Sequence, residues 1–182
     1  SGSVVIKSPN AGLLGRSGYM KLSTGTTSLG GSGNMMMNTG VAKFGGGGNV
    51  TVLVGDGDSG AGGNVVMTAG ATSMSNYKGG AMKMTAGYGM GGFAGVGGDV
   101  DLLAGNGRSA SGGNINIFSG IGEKTSSGNV NLVTSNAGTT GASGQMMLMT
   151  GTSSYGNSGL LNITTGEGRF GRGGNITILV GT

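Results

Sequence analysis

Apolar residues recur along this chain in short alternating bursts, each preceded by glycine. The preceding glycines are Gly2, Gly18, Gly33, Gly48, Gly63, Gly80, Gly98, Gly113, Gly128, Gly144, Gly159 and Gly174. They are 15 to 18 residues apart, most often 15, which divides the chain into twelve repeats. Counted from that marker glycine, the second and fourth residues are apolar almost throughout: Val50 and Val52, Val65 and Met67, Ile115 and Ile117, Val130 and Leu132, Ile176 and Ile178. Alternation with period two, carried by Val, Ile, Leu and Met, is strand patterning. The sixth residue is small or β-branched (Thr24, Thr39, Val54, Ala69, Ala86, Ala104, Ser119, Thr134, Thr150, Thr165), and glycine follows it in ten repeats. Glycine there suits a corner with positive φ.

A seven-residue strand with one apolar face cannot bury it alone, whereas stacked equivalent strands bury such faces as a continuous core. The expected fold is therefore all-β, a parallel β-solenoid of about twelve coils of 15–18 residues. Residues 1–182 form one repeat array in this reading. The longer repeats around 73–78 and 90–96 bulge from it. The alternative is an antiparallel β-sandwich or meander, which gives no reason for the near-constant spacing. Neither end carries a distinct capping segment, so the array is expected either to be an excerpt of a longer one or to stack end to end.

Two columns of residues follow from this register. Asn34, Asn49, Asn64, Asn114, Asn129 and Asn175 stand directly after the marker, where stacked amides would bond one another as a structural asparagine ladder. The third and fifth positions should be polar, yet they include Met36, Leu53, Val66, Leu103, Phe118, Val133, Met147, Met149 and Leu179. Segments apolar on both faces are usually covered on both, and large exposed apolar surfaces mark interaction sites. These nine residues are the candidate assembly face. A lesser apolar ridge is expected from Leu29, Phe44, Met74, Tyr155 and Phe170, with Phe93 near it.

Composition narrows the chemistry. Of 182 residues 47 are glycine, several times the usual share, but the regular apolar spacing argues against disorder. The ten Lys and Arg, against six Asp and Glu, are scattered singly and are not interleaved with aromatics. That distribution excludes a nucleic-acid surface. No apolar run approaches a membrane span. With no His and no Cys, zinc sites and the usual nucleophile–base pairs have no residues to build them.

G-x-G-x-x-G occurs at 55–60, 87–92 and 166–171, but it recurs because the repeat recurs. A dinucleotide site has one such loop, opening a helix. Asp56 with Asp58, and Asp99 with Asp101, are isolated pairs, unlike calcium-binding repeats that place Asp in every unit. No cofactor or metal is expected. The sequons at Asn49, Asn162 and Asn175 lie within apolar bursts and read as chance.

The recurring units, of the type SGN-V-x-L-x-T-G and GGN-I-x-I-x-x-G, resemble Gly/Ser/Thr-rich repeats of large extracellular, algal and algal-virus surface or fibre proteins. Some algal ice-binding proteins look similar. The resemblance covers the whole chain and implies a β-solenoid outside the cell or on a virion. The function expected is non-enzymatic: a rod that self-associates laterally or end to end into a filament, fibre or surface layer. The partner is the chain itself, with polysaccharide as a second candidate.

Two other functions compete. Ice binding needs a regular flat array, whereas the fifth-position column runs through Leu53, Leu103, Phe118 and Leu179. A glycan-binding adhesin or viral fibre shaft would draw on Tyr19, Tyr77, Tyr88 and Tyr155.

Overall fold

The computed structural model describes residues 2–12, 15–91 and 95–181. It divides into two parts, Ser1–Thr85 and Ala86–Thr182. In each part the same local motif repeats. An extended segment runs from the marker glycine to the sixth residue, and a glycine-rich loop then returns the chain to that sixth residue. There the next marker glycine lies against its side chain. We call this closure the neck.

In Ser1–Thr85 the necks pair Ser8 with Gly18, Thr24 with Gly33, Thr39 with Gly48, Val54 with Gly63 and Ala69 with Gly80. In Ala86–Thr182 they pair Ala86 with Gly98, Ala104 with Gly113, Ser119 with Gly128, Thr134 with Gly144, Thr150 with Gly159 and Thr165 with Gly174. Every repeat followed by another closes in this way.

No helix or β-strand occurs among the described residues. This overturns the expected all-β fold, both the parallel solenoid and the antiparallel sandwich or meander. The near-constant period has a local cause instead. Here each repeat closes on itself, nine to twelve residues after its sixth position. Closing so short a loop costs little entropy and sets a near-constant length locally. The extended segments between the necks pair with nothing.

Burial follows the same division. No residue among those described is buried, and the chain exposes 19061 Å². A compact monomer of its mass, 17.4 kDa, exposes about 7,900 Å² and a fully extended chain about 25,000 Å². Six backbone–backbone hydrogen bonds join the described residues, where folded chains carry about one hydrogen bond of any kind per residue. Outside the loop glycines Gly89, Gly122 and Gly168, the partly buried residues are all neck residues: Ser8, Ala69, Ala86, Ala104, Ser119, Thr134 and Thr150. Order in this chain is concentrated at the necks.

The glycines after the sixth residue were expected to turn with positive φ. They do not. The left-handed glycines are Gly15, Gly30, Gly60, Gly141 and Gly156, all inside loops. The chain turns in the loop interior, and Gly25, Gly40 and the others beside the necks are not the corners. The expected bulge around 73–78 belongs to the longer 70–80 loop, where Asn76 adopts φ 65°. The bulge around 90–96 lies in the 87–98 loop and partly outside the described residues, as does Phe93.

Candidate assembly site

The segments are alike in how they present side chains. The second residue after each marker, from Met20 to Ile176, is 50–57% exposed. The fourth is more exposed, at 60–72% except for Ile178 near the C-terminal end. The candidate assembly residues at the third and fifth positions are 64–86% exposed, with Met147 the lowest and Leu53, Leu103 and Phe118 the highest. Alternation therefore survives as a graded shading in which the expected core face is the more sheltered one. Neither face is covered.

The necks set how each segment is held, and they fall into two kinds. At Ala69, Ala86, Ala104 and Ser119 the marker glycine's N–H donates to the carbonyl of the glycine following the sixth residue. These bonds are Gly80 to Gly70 at 2.8 Å, and Gly98 to Gly87, Gly113 to Gly105 and Gly128 to Gly120 at 2.9 Å. At Thr24, Thr39, Val54, Thr134, Thr150 and Thr165 no such bond is made. These six residues are all β-branched, whereas the four at bonded necks are Ala or Ser. A methyl on Gly80 would lie 3.2 Å from the backbone nitrogen and oxygen of Gly70, so the two backbones are close. A methyl on Gly33 would instead meet Cβ and Cγ2 of Thr24 at 3.5 and 3.6 Å, with no atom of Gly25 within 4 Å. At Val54 the crowding is greatest, with Cγ1 2.6 Å from where a Gly63 methyl would stand. At these six necks a methyl on the marker glycine would meet only the side chain of the sixth residue, and not the backbone beyond it.

Hydroxyls close two of the remaining necks from the side. Ser8 Oγ donates to the Gly18 carbonyl at 3.0 Å, and Thr39 Oγ1 to the Gly48 carbonyl at 3.3 Å. Ser8 is followed by Pro9 where most repeats have glycine. This variation was not singled out from the sequence, although it is visible there as a run of unbranched residues at the sixth position from Ala69 to Ser119.

The loops after Ala104, Ser119 and Thr165 are tight internally, the last with a methyl on Gly168 meeting the carbonyl of Arg172. A methyl on Gly107 would run into the carbonyl oxygens of Ala110 and Ser111, and one on Gly122 into that of Ser126. A methyl on Gly57, at the same loop position after Val54, would meet open space.

Asn34, Asn49, Asn64, Asn114, Asn129 and Asn175 all begin extended segments and are exposed. Side-chain hydrogen bonds among the described residues are made by Ser8, Thr27, Thr39, Thr72 and Ser153, and none by these asparagines. Leu29, Phe44, Met74, Tyr155 and Phe170 are exposed in separate loops. No group of three acidic residues that could hold a metal ion occurs among the described residues. No helix there is long and apolar enough to cross a membrane. The chain matches no family model, no curated protein and no solved structure.

Proposed function

We propose that this chain is a non-enzymatic structural repeat protein that self-associates into a filament, fibre or surface layer outside the cell or on a virion surface. The observation that carries the reading is the uncovered extended segment, present in every repeat. It exposes apolar side chains, on both faces in most repeats, and its backbone donors and acceptors have no partner among the described residues. Unburied apolar surface is worth about 25 cal/mol per Å² once removed from water, and unpaired segments of this kind invite pairing with another chain.

A second copy is the best-matched partner because eight of the twelve segments carry no charge: those at 34–39, 49–54, 64–69, 114–119, 129–134, 145–150, 160–165 and 175–180. Uncharged six-residue runs without proline, rich in β-branched and apolar residues, have the composition of strands that stack between identical chains. The sparse charge of the whole chain adds little repulsion between copies.

Concentration-dependent sedimentation combined with electron microscopy tests this. Regular filaments or sheets that grow with concentration are the expected result. A chain that stays monomeric and dispersed at high concentration would sink the proposal.

A further inference from the structure

The segments differ in how firmly they are held, and one of them combines every feature that favours docking. In Ala86–Thr182 two segments run between two bonded necks: 99–103, from Gly98 to Ala104, and 114–118, from Gly113 to Ser119. The first carries Asp99 and Asp101, which would face their own like charges in a second copy. The second reads Asn114-Ile115-Asn116-Ile117-Phe118 and carries none. Ile115 and Ile117 lie on one face and Phe118 on the other. Ile117 is 61% and Phe118 86% exposed. The loops on either side are those in which Gly107 and Gly122 allow close backbone approach.

We infer that self-association begins at Asn114–Phe118, which docks on the same segment of a second copy. This rests on the self-association proposed above and names where it starts. Ordering a floppy segment on docking costs about 1–2 kcal/mol of backbone entropy per residue, and pinned ends have surrendered part of that freedom in advance. Other uncharged segments, such as 160–165, end at the β-branched residues Thr150 and Thr165, where no neck bond forms. Identical segments are the natural partners here because Asn114 and Asn116 can pair amide to amide with their own copies, with the apolar residues matched in the same register.

The test compares two equally exposed fourth-position residues in the full chain, Ile117 at 61% and Ile163 at 62%. Assembly of Ile117→Lys and Ile163→Lys is followed by light scattering. The lag is expected to lengthen about tenfold or more for Ile117→Lys and less than about twofold for Ile163→Lys, since a buried like-charge column forms only where docking begins. Ser119→Thr leaves Asn114–Phe118 intact but adds a branch at its neck, and should lengthen the lag about threefold, the worth of one marginal hydrogen bond. Benzoylphenylalanine in place of Phe118 should cross-link the earliest oligomers to residues 114–119 of the second copy.

Equal lags for the two lysine variants, or cross-links spread over other segments, would overturn this inference while leaving self-association standing. A wild-type chain that never assembles would overturn both.

Discussion

The necks at Ala86, Ala104 and Ser119 and those at Thr134, Thr150 and Thr165 lie in the same part of the chain, and all but the longer Ala86 repeat have nearly the same length. The first three are closed by a backbone hydrogen bond at 2.9 Å, and the last three are not. The sixth-position residue differs by a γ branch, and that branch occupies the space through which the two backbones would approach. The polar backbone of a glycine-rich chain is abundant everywhere. Among these six necks, whether it pairs follows the presence or absence of one neighbouring carbon. A repeat protein can thus hold a single consensus and still vary the stiffness of its repeats along its length.

The largest break in this comparison is expected from the loops. Gly122→Ala places a methyl against the carbonyl of Ser126, so the loop beside the Ser119 neck must reopen, at a cost of about 2 kcal/mol. Gly57→Ala, the matching change after Val54, meets open space and should cost nearly nothing. Amide exchange in dilute monomer checks this. Protection at Gly128 should vanish in Gly122→Ala, while Gly57→Ala leaves exchange around Gly63 as it was. Protection at Gly128 that survives Gly122→Ala would mean that the Ser119 loop has room for the methyl.

Next in size is the neck itself. Ala104→Thr should cost the Gly113 to Gly105 bond, worth about 1 kcal/mol, and so lower protection at the Gly113 amide about fivefold. The reverse change, Thr150→Ala, keeps Gly151 in place and should let Gly159 donate to it, with a rise in protection of similar size. If Thr150→Ala leaves Gly159 unchanged, the branch is not what holds that neck open.

How much of this could be read from the residues themselves turns on what alternation can and cannot say. The markers, the period and the sixth position were legible, and the structure makes that same pair of positions the neck. The alternation at Val50 and Val52, or Ile115 and Ile117, identified the more sheltered face correctly. It did not supply a partner to bury that face, because a period-two pattern records which side a cover would take and not whether one is present. The solenoid followed from treating each repeat as a coil that must meet its neighbour. Local closure was the competing solution, and its signature was a small or hydroxyl residue set nine to twelve residues before a glycine.

The distinction between Ala86 and Thr150 was also present in the sequence. It carries meaning only once the marker glycine is known to return to that side chain. For the candidate assembly residues the face was legible and its cover was not. Leu53, Leu103 and Phe118 are the most exposed of them, each 86%, in a chain with no buried core among its described residues.

The smallest effects should come from the marker glycines, and they divide by the same rule. Gly159→Ala puts its methyl 3.7 Å from Cβ of Thr150, an ordinary contact, so an open neck should accept it within about 0.5 kcal/mol. Gly80→Ala puts its methyl 3.2 Å from both the nitrogen and the carbonyl oxygen of Gly70, which would have to give by a few tenths of an ångström. The neck bond at 2.8 Å stretches to make room, and the cost should reach about 1 kcal/mol. Amide exchange at residue 80 in Gly80→Ala, and chemical shifts of Thr150 in Gly159→Ala, measure the contrast. An alanine tolerated equally at both would mean that the bonded necks have slack. The difference between Ala and Thr at the sixth position would then lie in the side chains alone and not in how closely the backbones approach.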